Sequence, residues 1–354
     1  MYEAKTVDNI NQEMLSNISD EYEKTEGNAT ADIIKSFAME SNNIWLGLQT
    51  LFNKLDVDKL VGDDLTQYCT QRKGIDRKIA TFSKAILTIT GNGNIAIGDL
   101  FATVNGIQFK SLQNLTIIDV GTISVEALIA GSSGNVGSGS ITQFPVTIAG
   151  IISCNNVNSS FDGFAEETDK LLRERYYEAL RIPATSGNKF HYILWARKIV
   201  GVGDAKVIPL WNGANTVKVI IIDSNKQVAS TDIIKKVQDY IDPNTTGIGE
   251  GEAPIGAYCT VVSATSKLIN IEVDIQEVQN YTLENIKNNI KLNIISYLQE
   301  IAFKQDYVSY AKISSIILAT EGVQDFTNLK VNTGIANISI GTEEVGIVGG
   351  VTII

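Results

Sequence analysis

Cysteine and histidine, the side chains that most often hold metals, are scarce in this sequence. Its 354 residues include three cysteines and a single histidine. The cysteines, Cys69, Cys154 and Cys259, are odd in number, far apart and without a Cys-x-x-Cys pair, so neither a disulfide framework nor a zinc site is indicated. We therefore predict three reduced thiols and neither a metal nor any other cofactor.

Positive charge is also in short supply. The chain has 29 Lys and Arg residues against 40 Asp and Glu, which gives a formal net charge of −11. Nucleic-acid binding needs clustered Lys and Arg to neutralise phosphates, and an anionic membrane surface repels an acidic chain. Neither a nucleic acid nor a membrane surface is therefore expected as a partner.

Long hydrophobic runs and targeting signals are missing too. The longest nearly apolar run is residues 345–354, which is far shorter than the roughly 18 residues of a membrane-spanning helix. Residues 1–8 lack the basic and apolar regions of a secretory signal. We therefore expect that the protein is made in the cytoplasm and does not insert into a membrane.

Motifs of catalysis and of nucleotide binding are absent. The lone His191 has no Gly-x-Ser-x-Gly motif to accompany it, and there is no phosphate-binding loop or dinucleotide fingerprint. Glu166, Glu167 and Asp169 are close together, but they suit the first turn of a helix, whose dipole favours acids. Arg173 and Arg175, downstream in the same helix, can pair with acids one turn back, such as Asp169. We predict no catalytic residues, and an active site without a motif remains an alternative.

The first 78 residues have the periodicity of helices. Short helices are predicted near residues 10–22 and 63–72, and a longer one spans residues 34–55. Steps of four and three residues place one stripe of side chains along that longer helix: Ile34, Ala38, Ser41, Trp45, Leu48, Phe52 and Leu55. The stripe can pack on the protein's own body or against the helices of a partner, and the periodicity favours neither.

Residues 79–158 have the texture of a small β domain. Apolar runs at 85–90, 115–119 and 146–149 alternate with turns rich in Gly, Asn and Ser. An Asn105-Gly106 pair between apolar stretches is typical of a β-hairpin. We therefore predict an all-β domain between two helix-containing parts.

Helix and strand patterns alternate from residue 159 to the end, which predicts two α+β units at residues 159–262 and 263–354. A short echo relates residues 200–204 (Val-Gly-Val-Gly-Asp) to residues 321–325 (Glu-Gly-Val-Gln-Asp), each between a helix and a strand. The predicted fold class is therefore α+β multidomain, with an N-terminal helical arm, a small all-β domain and two tandem α/β sandwich-like units.

Residues 161–206 carry the densest local pattern of the chain. The pattern predicts a helix begun by Thr168, a break at Pro183, a second helix capped by Ser186 and a turn into a strand. In order and spacing it resembles the signature of the baseplate J-like family. The positions that carry the resemblance are Asp162, Gly163, Glu167, Thr168, Asp169, Leu172, Arg173, Arg175, Ala179, Leu180, Pro183, Ser186, Gly187, Tyr192, Trp195, Ala196, Val200, Gly201, Val202, Gly203, Ala205 and Val207.

The resemblance implies a structural role in the baseplate of a contractile phage tail or of a tail-like particle such as a bacteriocin. Proteins of this family form wedges that link the hub and spike to the sheath and to peripheral parts, and they take part in triggering contraction. Implied partners are a second copy of the chain, other wedge proteins including a lysozyme-like one, the hub and spike, and indirectly the sheath. Assembly would take place in the bacterial cytoplasm.

The resemblance also bears on sites. The family offers no catalytic residues to carry over. Its N-terminal helices bundle with other wedge chains, which makes the stripe along residues 34–55 the expected protein interface. An alternative function is recognition of a surface glycan or receptor by the β domain. A sugar platform needs exposed aromatic side chains, and the aromatic residues there are Phe82, Phe101, Phe109 and Phe144.

Overall fold

Helices make up the first of two units into which the chain divides. The computed structural model describes residues 3–181, 187–278 and 281–354. We call Met1–Arg77 with Thr168–Leu180 the helical unit, and Lys78–Glu167 with Arg181–Ile354 the mixed unit. The helices of the helical unit are α1 (Val7–Ser16), α2 (Ala29–Asn53), α3 (Gly62–Lys73) and α4 (Asp169–Arg181).

Helix α1 packs against the first half of α2. Thr6 begins α1 by accepting a hydrogen bond from the backbone N–H of Asn9 at 3.3 Å. Ile10, Ala31 and Ala38 are buried on these two helices. α1 thereby covers part of a helix that is apolar on more than one side.

Both ends of α3 and the cap of α4 agree with the sequence, whereas Glu166 and Glu167 precede α4 and only Asp169 of the predicted acidic cluster lies in its first turn. Asp63 and Asp64 occupy the first turn of α3, and Gly74 ends that helix with a φ of 64°, a left-handed conformation that favours glycine. The hydroxyl of Thr168 accepts from the backbone N–H of Leu171 at 3.4 Å, which confirms Thr168 as the cap of α4. The predicted break at Pro183 lies outside the described residues.

The β domain of the mixed unit is a six-stranded antiparallel sheet in the described chain. Its strands run in the order β5-β2-β3-β4-β1-β6. The Asn105-Gly106 pair joins β2 to β3, as predicted. Large apolar side chains fill the interior, among them Leu87, Ile89 and Ile123. The strands are β1 (Lys84–Ile95), β2 (Leu100–Thr103), β3 (Gln108–Ser111), β4 (Leu115–Ala127), β5 (Ile141–Gln143) and β6 (Ile151–Asn155).

The apolar run at residues 146–149 is a loop and not a strand. It connects β5 to β6, and at its C-terminal end the backbone lies so close to β1 that Gly93 and Gly150 have no room for a Cβ. A Cβ on Gly150 would lie 1.9 Å from the carbonyl oxygen of Asn92, and one on Gly93 would lie 2.2 Å from that of Ala149. Apolar content signalled a buried segment here, but this close backbone approach replaces regular strand pairing.

The next part of the mixed unit packs two helices against a three-stranded sheet. Strand β8 lies between β7, which is antiparallel to it, and β9, which is parallel. Asn188, and not the predicted Ser186, caps α5, because its side chain accepts from the backbone N–H of His191 at 2.9 Å; Ser186 lies outside the described residues. The elements are α5 (Lys189–Lys198), β7 (Val202–Pro209), β8 (Thr216–Asp223), α6 (Thr231–Ile241) and β9 (Tyr258–Ser263).

The C-terminal part repeats this arrangement. Strand β10 lies between the antiparallel β12 and the parallel β14, and β11 pairs with β13. Ile269, Ile271 and Val273 of β10 are buried, as their alternation predicts. The elements are β10 (Thr265–Glu277), α7 (Leu283–Ile301), β11 (Tyr307–Val308), α8 (Tyr310–Leu318), β12 (Val323–Val331), β13 (Ile338–Ser339) and β14 (Glu344–Ile353).

The sequence echo falls at equivalent places of the two sheets. It joins α5 to β7 and α8 to β12, and each of these strands is antiparallel to the central strand of its sheet. At both places an aspartate side chain accepts the next backbone N–H, Asp204 from Ala205 at 2.7 Å and Asp325 from Phe326 at 2.8 Å. The predicted pair of tandem α/β units, and with it the α+β fold class, is confirmed.

Candidate protein-interface site

The predicted interface residues of α2 divide into a covered and an exposed set. Ala38 is completely buried and Ile34 and Trp45 are half-buried, whereas Leu48, Phe52 and Leu55 are exposed. The segment before α1 contributes to the cover, because the Lys5 ammonium lies 5.7 Å from the centre of the Trp45 ring. A substitution at Trp45 would therefore also disturb the chain's own packing. That these six residues form an interface stays a prediction.

A second stripe of α2, which the sequence analysis did not single out, faces outward. Its members follow steps of four, seven, four, three and four residues, and each is at least 40% exposed. We call this set the α2 apolar stripe: Ile33, Phe37, Ile44, Leu48 and Leu51 on the helix, and Leu55 in the turn that follows its end at Asn53. It begins one residue before the predicted stripe, because a helix that is apolar on several sides fits both phases of the periodicity.

The second half of α2 has the character of a helix enclosed in a bundle. Residues 41–53 contain no charged side chain. Met39 and Leu46 are exposed on another side of the helix, at 56% and 47%. A helix that is apolar all round is usually buried, and this one can be desolvated without the cost of burying a charge.

An apolar groove lies at the N-terminal end of the α2 apolar stripe. It has a volume of about 290 Å³ and shares Ile33 with the stripe. Its lining is Ile18, Tyr22, Ala29, Thr30, Ile33 and Ile34. The groove extends the surface on which an apolar side chain of another helix can pack.

Helix α4 forms hydrogen bonds to the loop that follows α2. Arg173 donates from Nε to the carbonyl of Val57 at 3.0 Å and from Nη2 to that of Leu60 at 2.7 Å. The Tyr177 hydroxyl donates to Asp58 at 2.8 Å. Beneath these bonds a small cluster joins the loop to α3 and α4, made of Val57, Leu60, Leu65, Cys69, Leu172 and Tyr176.

Asp169, also on α4, binds the start of α3. Its carboxylate accepts from the backbone N–H of Gly62 at 3.1 Å and from the Arg77 guanidinium at 2.5 Å. The Gly62 bond first and the Arg77 bond second hold the pKa of Asp169 below its ordinary value. The bond predicted between Asp169 and Arg173 is therefore replaced by one to Arg77, while Arg175 donates to the carbonyl of Asp76 at 2.6 Å.

The remaining described signature residues lie in the mixed unit. Tyr192 and Trp195 are buried on α5 with their rings 4.9 Å apart. Gly187 and Gly201 have positive φ angles of 74° and 96°, and a Cβ on Gly187 would lie 2.6 Å from Pro254. Together with Asp162 and Gly163, discussed below, these residues shape the core and its turns. The signature is thus brought together at two places, one in each unit.

Comparisons with known proteins decide the family. Family models match three stretches of the chain: the baseplate J-like protein barrel domain at residues 85–163, the baseplate J-like central domain at 184–263 and the baseplate J-like protein C-terminal domain at 269–354. The chain belongs to the baseplate J-like family.

Relatives of similar length support the assignment. The uncharacterized protein YqbT of Bacillus subtilis (strain 168) is 32% identical over 355 residues, which cover 100% of this chain and 99% of that protein. The phage-like element PBSX protein XkdT of the same strain is 31% identical over 358 residues, with the same coverage. The baseplate protein gp47 of Escherichia phage Mu is 29% identical over 278 residues, 75% of each chain.

This baseplate J-like protein is a structural component of a phage-type baseplate, and it assembles there with other baseplate proteins. The described residues contain no group of three or more His, Cys, Asp or Glu side chains placed to hold a metal ion. No helix within the described ranges is both long and apolar enough to cross a membrane.

Asp162 joins the β domain of the baseplate J-like protein to its central part. The residue has a φ of 63°, and its carboxylate accepts from the Ser230 hydroxyl, which caps α6, at 3.0 Å. The Asn225 side chain donates to the carbonyl of Gly163 at 3.4 Å, and its own carbonyl accepts from Gln299 at 2.9 Å. Three parts of the mixed unit therefore meet at this junction.

Asp223, beside that junction, should make the stability of the mixed unit depend on pH. Burial, with a smaller contribution from the Asp162 charge, raises the pKa of Asp223 to about 6, against roughly 3.9 in an unfolded chain. The folded state binds this proton more tightly, so the free energy of unfolding should rise as pH falls from about 7 to about 4. Asp223→Asn should add roughly 1–2 kcal/mol at pH 8 and flatten the profile.

Urea unfolding at pH 5 and pH 8 checks this expectation. Asp239→Asn is the control, because Asp239 pairs with Lys235 on the surface of α6, where an ion pair contributes little. An Asp223→Asn variant that keeps the full pH dependence of the natural chain would contradict the account.

Proposed function

We propose that the protein is a wedge component of a contractile baseplate and that the exposed part of α2 is its docking helix. The observation that carries the proposal is the α2 apolar stripe, three members of which, Ile44, Leu48 and Leu51, lie in the segment 41–53 that contains no charged side chain. Membership of the family indicates that the protein acts in a baseplate. The exposed apolar side chains of the stripe favour burial against a partner in that assembly. The expected occupants are helices of a second copy of this chain and of other wedge proteins.

The contact chemistry follows from the side chains of the stripe. Leucine, isoleucine and phenylalanine at steps of four and three residues pack as knobs into holes of a facing helix. These side chains are about half exposed in the isolated chain, so covering the remainder of each stabilises the assembly by roughly 1 kcal/mol, before the cost of association. The stripe offers six of them, so a bundle with one or more partner helices is supported.

A linking role suits the remainder of the chain. The mixed unit has three parts that meet at the Asp162 junction, and we propose that it links the hub and spike towards the sheath and the peripheral parts. A share in triggering contraction would require contacts that differ between two states of the baseplate. We propose assembly in the bacterial cytoplasm and a structural protein without catalysis.

Deletion of the gene in cells that produce the particles tests the proposal. Particles purified from the natural strain should contain the chain together with wedge, hub and sheath proteins in mass spectrometry. The deletion strain should yield no complete baseplates, and a plasmid copy of the gene should restore them. Complete particles that lack the chain would overturn the proposal.

Glycan or receptor recognition by the β domain finds little support in the placement of its aromatic side chains. Phe101 and Phe109 are completely buried in the core, and Phe144 is half-buried against Phe101. Phe82 is exposed, with the Lys110 ammonium 5.9 Å from the centre of its ring. One phenylalanine does not make the flat aromatic platform on which a sugar ring stacks.

A further inference from the structure

Within the helical unit, the orientation of α2 relative to α3 and α4 depends on one short loop. Among the described elements, α2 packs mainly against α1, and the cluster that unites the loop with α3 and α4 contains no side chain of α1 or α2. The α1–α2 hairpin is therefore attached through residues 54–61. Whatever holds this loop also sets the direction of the α2 apolar stripe.

Three residues of α4 hold the loop by one face of the helix. Asp169, Arg173 and Tyr177 are spaced four residues apart, which places them in one row along α4. In the loop, Tyr177 binds Asp58 and Arg173 binds the carbonyls of Val57 and Leu60. Asp169 binds the N–H of Gly62, the first residue of α3. The row thus holds both the loop and the start of the helix that follows it.

Most of these contacts are to the loop backbone. A guanidinium that donates to two carbonyls fixes both their positions and their directions, whereas a lysine ammonium is a single point charge and cannot reproduce the fork. Arg173 is largely covered, with 22% of its side chain exposed. Arg77 reinforces the end of the row by donating to the carbonyl of Gly62 at 3.0 Å and to the Thr66 hydroxyl at 2.8 Å.

We infer that three residues of α4, Asp169, Arg173 and Tyr177, fix the orientation of α2 and so turn the α2 apolar stripe towards its partner without touching that partner. We call these three residues the mount. They are positioning residues for assembly, and the inference rests on the proposed docking function of α2. The mount also gives part of the sequence signature a physical role, because Asp169 and Arg173 belong to it.

Spin-label distances in the full-length chain test the mount directly. Labels at Asn43→Cys on α2 and Lys170→Cys on α4 use exposed positions, and the native cysteines are buried. We expect one narrow distance distribution in the natural background and a broad one in Arg173→Lys, with unchanged helix content. Arg175→Lys is the matched control, since Arg175 lies on the same helix and donates to Asp76 outside the loop.

The same variants are then scored for incorporation into particles. Arg173→Lys should reduce incorporation about tenfold, the ratio expected for loss of one hydrogen bond from a charged group, while Arg175→Lys should stay near the natural level. Tyr177→Phe, which removes the bond to Asp58 and keeps both bonds of Arg173 to the loop carbonyls, should broaden the distances less.

Two results would overturn the inference. One is a narrow distribution that persists in Arg173→Lys, and the other is a broad distribution with full incorporation. The distances are measured in the isolated chain. They therefore test whether these three residues fix the orientation of α2, even if α2 proves not to be a docking helix. Full incorporation of a chain with a disrupted α2 apolar stripe would instead contradict the proposed function.

Discussion

Replacing Leu51 and Leu55 by aspartate should leave a soluble, folded chain that no longer enters particles. The two side chains are 61% and 66% exposed, so the isolated protein loses little packing. In an assembled bundle the same positions would be enclosed, and an unpaired buried carboxylate costs several kcal/mol. Incorporation should fall by more than about a hundredfold, since each 1.4 kcal/mol is a factor of ten.

The measurement compares particle incorporation with circular dichroism and gel filtration of the purified variant. Val104→Asp is the matched control, because Val104 is an apolar side chain with 79% exposure in the β2–β3 turn of the mixed unit. This control should assemble normally. Particles that accept the Leu51→Asp, Leu55→Asp chain as readily as the control would rule out the stripe as a docking surface.

Gly150→Ala should disrupt the β domain far more than the same substitution at Gly106. Both glycines have positive φ angles, 79° and 84°, so both substitutions carry the strain of a left-handed alanine, about 1–2 kcal/mol. At Gly106 the new methyl group meets nothing within 4 Å, whereas at Gly150 it would lie 1.9 Å from the carbonyl oxygen of Asn92. The backbone must move, and the total cost should reach about 3 kcal/mol or more.

Hydrogen exchange of the β1 and β6 amides reports this loss within the β domain itself. The bond from the Asn92 N–H to the Gly150 carbonyl, 2.7 Å long, should open first. Exchange should accelerate there in Gly150→Ala and change little in Gly106→Ala. Equal effects of the two substitutions would show that the close approach of loop and strand does not stabilise the domain.

Much of the fold can be predicted because local signals agree with tertiary needs. Thr168 and Gly74 delimit helices where capping chemistry predicts. The alternation of β10 matches its burial. Predictions were wrong where a long-range contact replaces a local preference. The 146–149 run is a loop because β1 approaches its backbone, and Asn188 rather than Ser186 caps α5 because its side chain reaches the His191 N–H.

The candidate interface shows a different limit. Periodicity marks α2 as apolar on more than one side, but it cannot say which side α1 covers. The predicted stripe begins at Ile34 and the exposed one at Ile33, one residue apart, and the two share Leu48 and Leu55. Only the packing of Ile10 and Lys5 on α2 distinguishes them. A short helix before a long apolar one is the signal that could have warned of this cover.

The signature residues illustrate a third case. Their pattern is sufficient to predict the family, which the comparisons confirm. The contacts that these residues make cannot be inferred from the sequence, because Arg173 binds carbonyls more than 110 residues away along the chain. Backbone groups leave no trace in residue identity, so no motif at residues 57–60 could have revealed the contact.

A site-specific photocrosslink from α2 within assembled particles tests the central claim most directly. A photoreactive phenylalanine at Leu51, with the same group at Val104 as reference, would be activated in purified particles and its products identified by mass spectrometry. The account predicts crosslinks from position 51 to a helix of another baseplate chain or of a second copy. Crosslinks from position 104 alone, with none from position 51, would contradict it.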